Sequence, residues 1–434
     1  MSLTGKNNIV SSYLSTHGQA LAQHEHLRPE ALRSGLDAGT MVLLANPAHK
    51  NVSPTLIGQP ARVKVNANIG TSPMINNVDM EIKKLGLAEK AGAHTVMDLS
   101  TAGDLDEVRV RILAASPLPL GTVPLYSVAQ PYVARGKDPS DFSAQELFEE
   151  IEKEAEQGVD FMTLHCGVTA RAAALASDGR RILGIVSRGG SLLARWMKRR
   201  GVENPLLTDF DALLKICLKH NVTLSLGDGL RPGAGADAGD AAQWEEVSVL
   251  GDLARRALDY GVQAMIEGPG HVPLHLVQSQ IQGIKRLTNN APLYVLGPLT
   301  TDAAAGFDHI AGAIGAAQAA YFGADFLCYL TPAEHVTLPG PDDVWAGVKA
   351  SLIAAQSAEV SLGRPWAVER DLAISKARAA LDWEAMAANA LDPHTLRKRR
   401  KDFHQEKECA MCGSFCAIRM LEGIEDSPVP CDKK

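Results

Sequence analysis

Three cysteines near the C-terminus have a spacing that could support chemistry. Cys409, Cys412 and Cys416 are separated by two and then three residues. Three thiolates this close together can bind an iron–sulfur cluster and leave one iron without a protein ligand. A small molecule could bind and react at such an open iron. The spacing therefore favours an iron–sulfur cluster.

A zinc site and purely structural thiols are the alternatives to a cluster. Structural zinc takes four ligands, and neither His404 nor Cys431 completes a familiar zinc-binding spacing with the three cysteines. The chain has seven cysteines in 434 residues, which is far from the dense usage of a small disulfide-bonded domain.

The composition is that of an ordinary globular protein. Hydrophobic residues make up 46% and charged residues 21% of the chain, and the net charge of -7 gives no sign of nucleic-acid binding. The N-terminus lacks the apolar core of a signal peptide, and no run of about 18 apolar residues suggests a membrane span. We therefore expect a cytoplasmic location, whose reducing conditions suit an oxygen-sensitive cluster.

The elements that must position the chemistry lie upstream of the cysteines. Short β-rich runs alternate with helical stretches, which is typical of parallel βαβ units, and a segment of this length fits a (β/α)8 TIM-type barrel. We predict this α/β barrel over residues 61–340. Nine β-rich runs are present where the barrel has eight strands, and the pattern does not identify which run lies outside the barrel. The β-rich runs are Val63–Asn68, Thr95–Asp98, Leu120–Pro124, Phe161–His165, Gly184–Ser187, Thr223–Gly227, Ala264–Glu267, Leu293–Leu296 and Phe326–Tyr329.

Polar residues follow nearly every one of these runs. The carboxyl ends of barrel strands face one mouth, where the active sites of this fold are built. A single polar residue at such a position is more often a cap or turn residue, but capping alone does not explain so many. The polar residues are Asn68, Asp98, Tyr126, His165, Ser187, Arg188, Asp228, Arg231, Glu267, His271 and His335.

Three of these groups suggest particular jobs. Ser187-Arg188-Gly189 opens a helix and could bind a phosphate, or it could be an ordinary N-cap. Asp228 and Arg231 could contact a polar substrate or form a structural ion pair. Two histidines, His271 and His335, could bind a divalent metal, although histidines so far apart in sequence are by themselves weak evidence.

The remaining segments are additions to the barrel. We expect residues 1–60 to form an N-terminal extension that packs on the barrel. Residues 341–401 are Ala-rich and helical in pattern, and the basic run 397–401 has no interleaved aromatic residues, which favours a solvated helix face. Residues 402–434 form the cysteine-bearing tail.

Several long motifs, in the same order along the chain, resemble those of the ThiC-type radical S-adenosylmethionine family. The resemblance covers about residues 63–420. The motifs are VKVNANIGTSP at 63–73, VMDLST at 96–101, GTVPLY at 121–126, GIVSRGG at 184–190, SLGDGLRPG at 225–233, MIEGPGHVP at 265–273, LGPLTTD at 296–302, CYLTPAEH at 328–335 and AISKAR at 373–378.

The resemblance implies a barrel enzyme that acts on aminoimidazole ribonucleotide. It implies a [4Fe–4S] cluster on Cys409, Cys412 and Cys416, whose open iron binds S-adenosylmethionine, and a 5′-deoxyadenosyl radical that abstracts hydrogen from the substrate. It also implies a helical region that packs in a homodimer and a tail that serves the partner subunit. An electron donor is required, but the sequence does not identify it.

The resemblance also assigns residue roles. A divalent metal, zinc or iron, would be held by His271 and His335. No catalytic residue is assigned. The substrate-binding residues would be Asn68, Met97, Tyr126, His165, Ser187, Arg188, Gly189, Asp228, Gly229, Leu230, Arg231, Glu267 and Tyr294.

Departures from the usual family pattern bear on the product. The spacer between Cys412 and Cys416 has three residues where four are typical of the pyrimidine-forming branch. Cys166 stands where alanine is usual, and Ala102 where glycine is usual. We therefore predict the branch that forms 5-hydroxybenzimidazole for anaerobic cobamides. The alternative is the branch that forms phosphomethylpyrimidine for thiamine.

A more distant alternative is a metal-dependent barrel lyase or hydrolase. In it Glu267 would act as acid or base near His271, and the cysteines would form a structural zinc knuckle.

Overall fold

The computed structural model describes residues 2–420. The strands are β1 (Val42–Leu44), β2 (Thr55–Ile57), β3 (Lys64–Ile69), β4 (Thr95–Asp98), β5 (Leu120–Thr122), β6 (Phe161–Leu164), β7 (Thr223–Leu226), β8 (Ala264–Glu267), β9 (Leu293–Leu296) and β10 (Phe326–Cys328). The helices are α1 (Leu3–Lys6), α2 (Asn8–His24), α3 (Pro29–Asp37), α4 (Val78–Ala91), α5 (Leu105–Ala115), α6 (Pro124–Ala134), α7 (Ala144–Gln157), α8 (Ala170–Ala176), α9 (Arg188–Arg200), α10 (Pro205–Thr208), α11 (Phe210–His220), α12 (Ala241–Tyr260), α13 (Leu274–Leu287), α14 (Asp308–Tyr321), α15 (Pro341–Ser361), α16 (Pro365–Ala379), α17 (Trp383–Asn389) and α18 (Pro393–Arg400).

The strands β3 to β10 form a closed parallel barrel, which confirms the predicted fold class. They pair in chain order, and β10 closes the barrel by pairing with β3. In that pair Phe326 lies opposite Lys64 and Cys328 opposite Asn66. The strands are buried along nearly their whole length, as expected where helices cover the outside of a barrel and side chains fill its interior.

The extra β-rich run is Gly184–Ser187, which forms no strand. Just before it, the Asp237 carboxylate accepts the backbone N–H groups of Ile182 and Leu183. Ser187 then caps α9. This segment is therefore a loop at the mouth of the barrel, although its apolar residues resemble those of a strand.

The helices begin and end where the sequence supplies caps. In α7, Ser143 and Glu146 form a reciprocal capping box, and Gly158 ends the helix in the left-handed conformation at φ 114°. Leu147 and Ile151, four residues apart, are buried against the barrel. Such amphipathic helices hold the strands from outside.

The N-terminal helices and the β1–β2 ribbon, which the sequence patterns did not predict, build a small apolar cluster beside the barrel. It includes Val10, Leu32 and Leu36, and Leu258 of α12 packs against it. The side chain of Lys64 at the start of β3 donates to the Glu25 carboxylate at 2.9 Å. The extension is thus attached through both apolar and ionic contacts.

The chain divides into two compact units, residues 1–362 and 363–434. The first contains the barrel and α15, and the second contains α16 to α18 and the three clustered cysteines. The end of the predicted tail, residues 421–434, lies outside the described residues. No helix within residues 2–420 is both long and apolar enough to cross a membrane.

Candidate active site at the barrel mouth

A cleft with an empty volume of about 760 Å³ lies at the carboxyl ends of the barrel strands. Most of the predicted substrate residues line it, and Gly189, Gly229 and Leu230 are chain neighbours of the wall residues Arg188, Asp228 and Arg231. The predicted residues on the wall are Asn68, Met97, Tyr126, His165, Ser187, Arg188, Asp228, Arg231, Glu267 and Tyr294.

Other residues on the wall were missed at the sequence level. Thr163 and Cys328 occupy positions near strand ends, so an inward register could have identified them. Glu334 lies in the CYLTPAEH motif but was not assigned a role. The full set is Leu99, Val123, Thr163, Val186, Gly268, Val295, Leu296, Cys328 and Glu334.

His165 and Ser187 form a buried hydrogen-bonded pair. Ser187 Oγ lies 3.1 Å from His165 Nε2, and the same oxygen accepts the N–H of Gly190 at 3.1 Å. Burial, and then the charge of Arg231, lowers the pKa of His165 to about 3. The imidazole is therefore neutral at pH 7. Ser187 Oγ accepts from Gly190 and can donate its own O–H to Nε2, an arrangement that places the His165 proton on Nδ1.

Two glycines allow the loops to approach this pair closely. A Cβ on Gly189 would overlap the His165 ring, and a Cβ on Gly190 would overlap the backbone carbonyl of Gly229. The start of α9 therefore packs directly on His165 and on the turn after β7. Only residues without side chains fit at these two positions.

The N-terminal end of α9 has the features of an anion site. The backbone N–H groups of its first turn and the helix dipole favour negative charge. The exposed Arg188 guanidinium lies over the Tyr126 ring, with its Cζ 4.6 Å from the ring centroid. A cation held beside a helix N-terminus is suited to a phosphate group.

The turn after β7 carries a buried ion pair. Arg231 Nη1 lies 3.0 Å from Asp228 Oδ1, and Asp228 Oδ2 has no hydrogen-bond partner among the described residues. Burial raises the pKa of Asp228 to about 8, because the Arg231 charge only partly offsets burial and the nearby Glu267 adds to it. Asp228 can therefore hold or release a proton near neutral pH.

Glu267 at the end of β8 is held by two hydroxyl groups inside the barrel. Its Oε1 accepts from Thr163 Oγ1 at 2.6 Å and from Ser225 Oγ at 2.7 Å. Burial raises the pKa of Glu267, and the two hydroxyl groups oppose this rise. Strands β6, β7 and β8 together therefore fix the position of this carboxyl group.

The opposite wall is formed by β3, β9 and β10. Asn68 Nδ2 donates to Cys328 Sγ at 3.1 Å, and Asn66 Nδ2 donates to Asn68 Oδ1 at 2.8 Å. The Tyr294 ring stacks on Phe326 with centroids 4.1 Å apart. This wall presents an amide and an aromatic ring in fixed orientations.

The two predicted metal ligands lie together. The rings of His271 and His335 are 5.3 Å apart between centroids. His271 Nδ1 lies 2.7 Å from Asp302 Oδ1, and His335 Nδ1 lies 3.3 Å from Asp308 Oδ1. Carboxylates that accept from Nδ1 leave both Nε2 atoms free to bind a metal. These residues therefore fit a divalent metal. Asp302 ends the LGPLTTD motif, but the sequence assigned no role to it or to Asp308.

The three cysteines share one tight turn in the second unit. The N–H groups of Cys412 and Gly413 both donate to the carbonyl of Cys409, and the N–H of Cys416 donates to Gly413. Hydrogen bonds from the Cys412 backbone and thiol lower the pKa of Cys409. Three adjacent thiols, one of them with a favoured thiolate, fit the donor set of an iron–sulfur cluster with one open iron.

Cys166 does not lie on the wall of the cleft. It is fully buried, and burial, with Cys217 nearby, raises the pKa of its thiol. The cysteine that stands where alanine is usual in the family therefore makes no direct contribution to the wall of the cleft.

Comparisons with known proteins agree over nearly the whole chain. A family model described as the radical SAM ThiC family matches residues 7–423. A protein from Thermus thermophilus named phosphomethylpyrimidine synthase is 50% identical over 406 residues, covering 93% of each chain. A protein of the same name from Methanocaldococcus jannaschii is 46% identical over 423 residues, covering 96% of this chain and 98% of that one.

Among solved structures, a dihydropteroate synthase from Coxiella burnetii aligns with a TM-score of 0.39 and 14% identity, covering 70% of this chain and 96% of that one. This likeness is too weak to support an argument. The family model and the sequence relatives span both the barrel mouth and the cysteine turn. On this evidence the chain belongs to the radical SAM ThiC family.

Proposed function

We propose that the chain converts aminoimidazole ribonucleotide into the phosphorylated pyrimidine of thiamine biosynthesis, as a phosphomethylpyrimidine synthase. The observation that carries the proposal is the single cleft that combines an anion site at α9 with the carboxyl, guanidinium and imidazole groups of Asp228, Arg231 and His165. This combination suits a phosphorylated ribonucleotide.

The names of the relatives favour the pyrimidine product over the benzimidazole product that we predicted from the departures. That prediction depended mainly on the short spacer between Cys412 and Cys416. In the structure this spacer is a 3-10 turn, Gly413–Phe415, in the second unit. The length of one turn, far in sequence from the barrel strands, is weaker evidence about the product than 50% sequence identity across 93% of the chain.

In the proposed complex, α9 binds the phosphate. The first-turn N–H groups of Arg188 and Gly189 donate to the phosphate oxygens, since that of Gly190 is bonded to Ser187, and Arg188 contributes a positive charge held over Tyr126. Ser187 caps the helix and donates to His165, so it orients the imidazole instead of contributing charge.

The deeper groups orient the ribose and imidazole. His165 stays neutral and presents its Nδ1 proton, which has no partner among the described residues. Asp228 offers the unpartnered Oδ2, and Arg231 balances its charge. Glu267, Asn68 and the Tyr294 ring complete the walls. Gly189 and Gly229 contribute backbone groups, and Leu230 lies in the turn between Asp228 and Arg231.

Membership of the family implies a [4Fe–4S] cluster and S-adenosylmethionine, which when bound supply a 5′-deoxyadenosyl radical for hydrogen abstraction. Cys409, Cys412 and Cys416 would hold the cluster. We further propose that two chains form a homodimer in which each tail serves the partner's barrel.

His271 and His335 would hold a divalent metal, zinc or iron, with Asp302 and Asp308 orienting the rings. This metal site is part of the proposal and does not depend on the choice of product.

The test is an anaerobic reaction of reconstituted protein with aminoimidazole ribonucleotide, S-adenosylmethionine and a strong reductant. We expect a phosphorylated pyrimidine, identified by mass, together with 5′-deoxyadenosine. A benzimidazole product would restore the branch that we predicted from the cysteine spacer. Formation of 5′-deoxyadenosine with neither product would leave the family assignment standing and remove the proposed substrate.

Two cysteine variants test whether the three clustered cysteines bind the iron–sulfur cluster. Cys412→Ala should lose the iron–sulfur absorption and all turnover, whereas Cys431→Ala, outside the triplet in sequence, should keep both. Tight zinc in a colourless wild-type protein would instead support the zinc-knuckle alternative.

A further inference from the structure

The turn from Asp228 to Arg231 is held from behind by a residue outside the cleft. Glu246 lies on α12 and is 1% exposed. Its Oε2 accepts the backbone N–H of Leu230 at 2.8 Å. Leu230 itself is fully buried. A buried carboxyl group that receives a turn amide fixes the position of that turn.

A second side chain holds the other end of the same residue. Arg181 Nη2 donates to the carbonyl of Leu230 at 2.7 Å, and Nη1 donates to the carbonyl of Gly184 at 3.0 Å. The guanidinium is anchored by Asp240, which accepts from Nε at 2.7 Å. Arg181 therefore joins the turn after β7 to the loop that leads into Ser187.

The surroundings give Glu246 little freedom to move. A Cβ on Gly167, in the loop after β6, would lie 3.0 Å from Glu246 Cγ. Glu246 therefore fills the space between the loop that follows His165 and the turn that carries Asp228. Its Oε1 has no hydrogen-bond partner among the described residues, so the Leu230 amide is its main polar contact there.

We propose that Glu246 and Arg181 are positioning residues that clamp the Leu230 backbone and thereby set the positions of Asp228 and Arg231 for substrate binding. The proposal rests on the proposed function, because it takes the substrate to be a phosphorylated imidazole ribonucleotide. Neither residue lines the cleft, so both act through the turn.

The clamp has a clear physical reason. Leu230 follows Gly229, whose carbonyl touches the start of α9, and glycine by itself leaves the backbone mobile. Hydrogen bonds to both the N–H and the C=O of Leu230 remove that mobility. The side chains of Asp228 and Arg231 then keep their position without substrate, which lowers the ordering cost of binding.

The experiment compares four variants of the full-length reconstituted protein. Glu246→Leu removes the acceptor, Glu246→Gln keeps a neutral acceptor, and Arg181→Met removes the donors but keeps the stem. Glu245→Gln is the matched control, since this neighbouring glutamate pairs with the exposed Arg171 at 3.3 Å. The readouts are the Kd for aminoimidazole ribonucleotide by calorimetry, KM and kcat under turnover, and hydrogen exchange of the amides of residues 228–231.

We expect Glu246→Leu and Arg181→Met each to raise Kd and KM by about fivefold to tenfold, which is the value of one lost buried hydrogen bond, with a smaller change in kcat. The amides of residues 228–231 should exchange faster in both. Glu246→Gln and Glu245→Gln should stay within about twofold of wild type. If Glu246→Leu does not fold, Glu246→Asp replaces it, because the shorter side chain moves the acceptor away by one methylene. Kd, KM and amide exchange should then all increase as expected for Glu246→Leu.

Two results would overturn the clamp. One is unchanged exchange of the amides of residues 228–231 in Glu246→Leu, or in Glu246→Asp if the leucine variant does not fold. The other is a Glu246→Gln variant as impaired as Glu246→Leu, since an amide oxygen can still accept the Leu230 N–H. A wild-type protein that does not bind the ribonucleotide would instead contradict the proposed function, and the exchange data would still decide the clamp.

Discussion

At the scale of single residues, the cleft depends on a few close approaches. Gly189 lets α9 touch the His165 ring, and Asp302 holds His271 in one orientation. Each contact joins two residues that are distant in sequence. A substitution of Gly189 should therefore weaken substrate binding, and a substitution of Asp302 should weaken metal binding, while the protein still folds.

Gly189→Ala should impair substrate binding. The added Cβ would overlap the His165 ring and push it away from Ser187, so we expect Kd for the ribonucleotide to rise about tenfold or more. Calorimetry measures this. Gly86→Ala is the control, because a Cβ there meets nothing within 4 Å in helix α4 and should stabilise the helix by about 0.5–1 kcal/mol. Equal affinity of Gly189→Ala and wild type would contradict the packing argument.

Asp302→Ala should weaken metal binding at the histidine pair. Loss of the carboxylate frees the His271 ring, and such losses typically reduce metal affinity about 10–100-fold. Competition with a chelator, followed by measurement of bound zinc and iron, tests this without turnover. The exposed His275 on α13 supplies the control, and His275→Ala should leave the affinity unchanged. An Asp302→Ala variant that retains the metal as wild type does would rule out this role.

At the scale of elements, the barrel is assembled by ionic contacts as well as apolar packing. The N-terminal extension meets β3 through Glu25, which is 2% exposed and lies 2.9 Å from Lys64 Nζ. Burial alone would raise the pKa of Glu25, but the hydrogen bond from His24 and the charge and hydrogen bond of Lys64 lower it to about 2. This carboxylate stabilises the fold only when ionised.

Glu25→Gln should destabilise the protein by about 3 kcal/mol at pH 7, because it removes the carboxylate that is hydrogen-bonded to the buried Lys64 ammonium. The folded state binds fewer protons at Glu25 than the unfolded state does, so this stabilisation is present above about pH 4.5 and is lost as the pH falls towards 2. The wild type and the variant should therefore converge in acid.

Urea unfolding at a series of pH values measures the difference in unfolding free energy between wild type and Glu25→Gln. The control is Glu89→Gln, because Glu89 is exposed on α4. A constant gap between wild type and Glu25→Gln from pH 7 to pH 3 would show that the pair does not act through the Glu25 charge.

At the scale of the whole molecule, the site and the cysteine turn belong to different compact units. The proposed enzyme needs both. If each tail serves the barrel of the partner subunit, two different inactive subunits can form an active site when they are mixed. If each tail serves its own barrel, they cannot.

Subunits of Cys409→Ala and Arg188→Glu should complement each other when mixed. The first lacks a cluster ligand and the second repels the substrate phosphate. In a two-fold dimer with exchanged tails, one mixed site has both an intact barrel and an intact cysteine turn, so random mixing should restore about one quarter of wild-type activity. A mixture of Cys409→Ala and Cys412→Ala should stay inactive. An inactive mixture of the first pair, with mixed dimers confirmed by mass, would place each tail on its own barrel.

Patterns local in the chain were sufficient to predict the barrel class, the approximate strand ends and the proximity of the three cysteines. Alternating buried strands and amphipathic helices, followed by polar residues, leave few other folds, and three cysteines so close in sequence are close in space in any fold. Most of the substrate residues assigned by resemblance lie on one cleft because they stand in or just after strands of the same closed barrel. Ser187 and Arg188 follow no strand, and the loop before α9 brings them to the cleft.

Only the tertiary structure decided which β-rich run is a loop and which side chains support the site. Gly184–Ser187 is apolar enough for a strand, but its neighbours bond to Asp237 instead of to a sheet. The contacts of Thr163 with Glu267, Asp302 with His271 and Glu246 with Leu230 depend on barrel register and on how α12 packs. Such contacts join positions with no fixed spacing in the chain, so no local pattern encodes them.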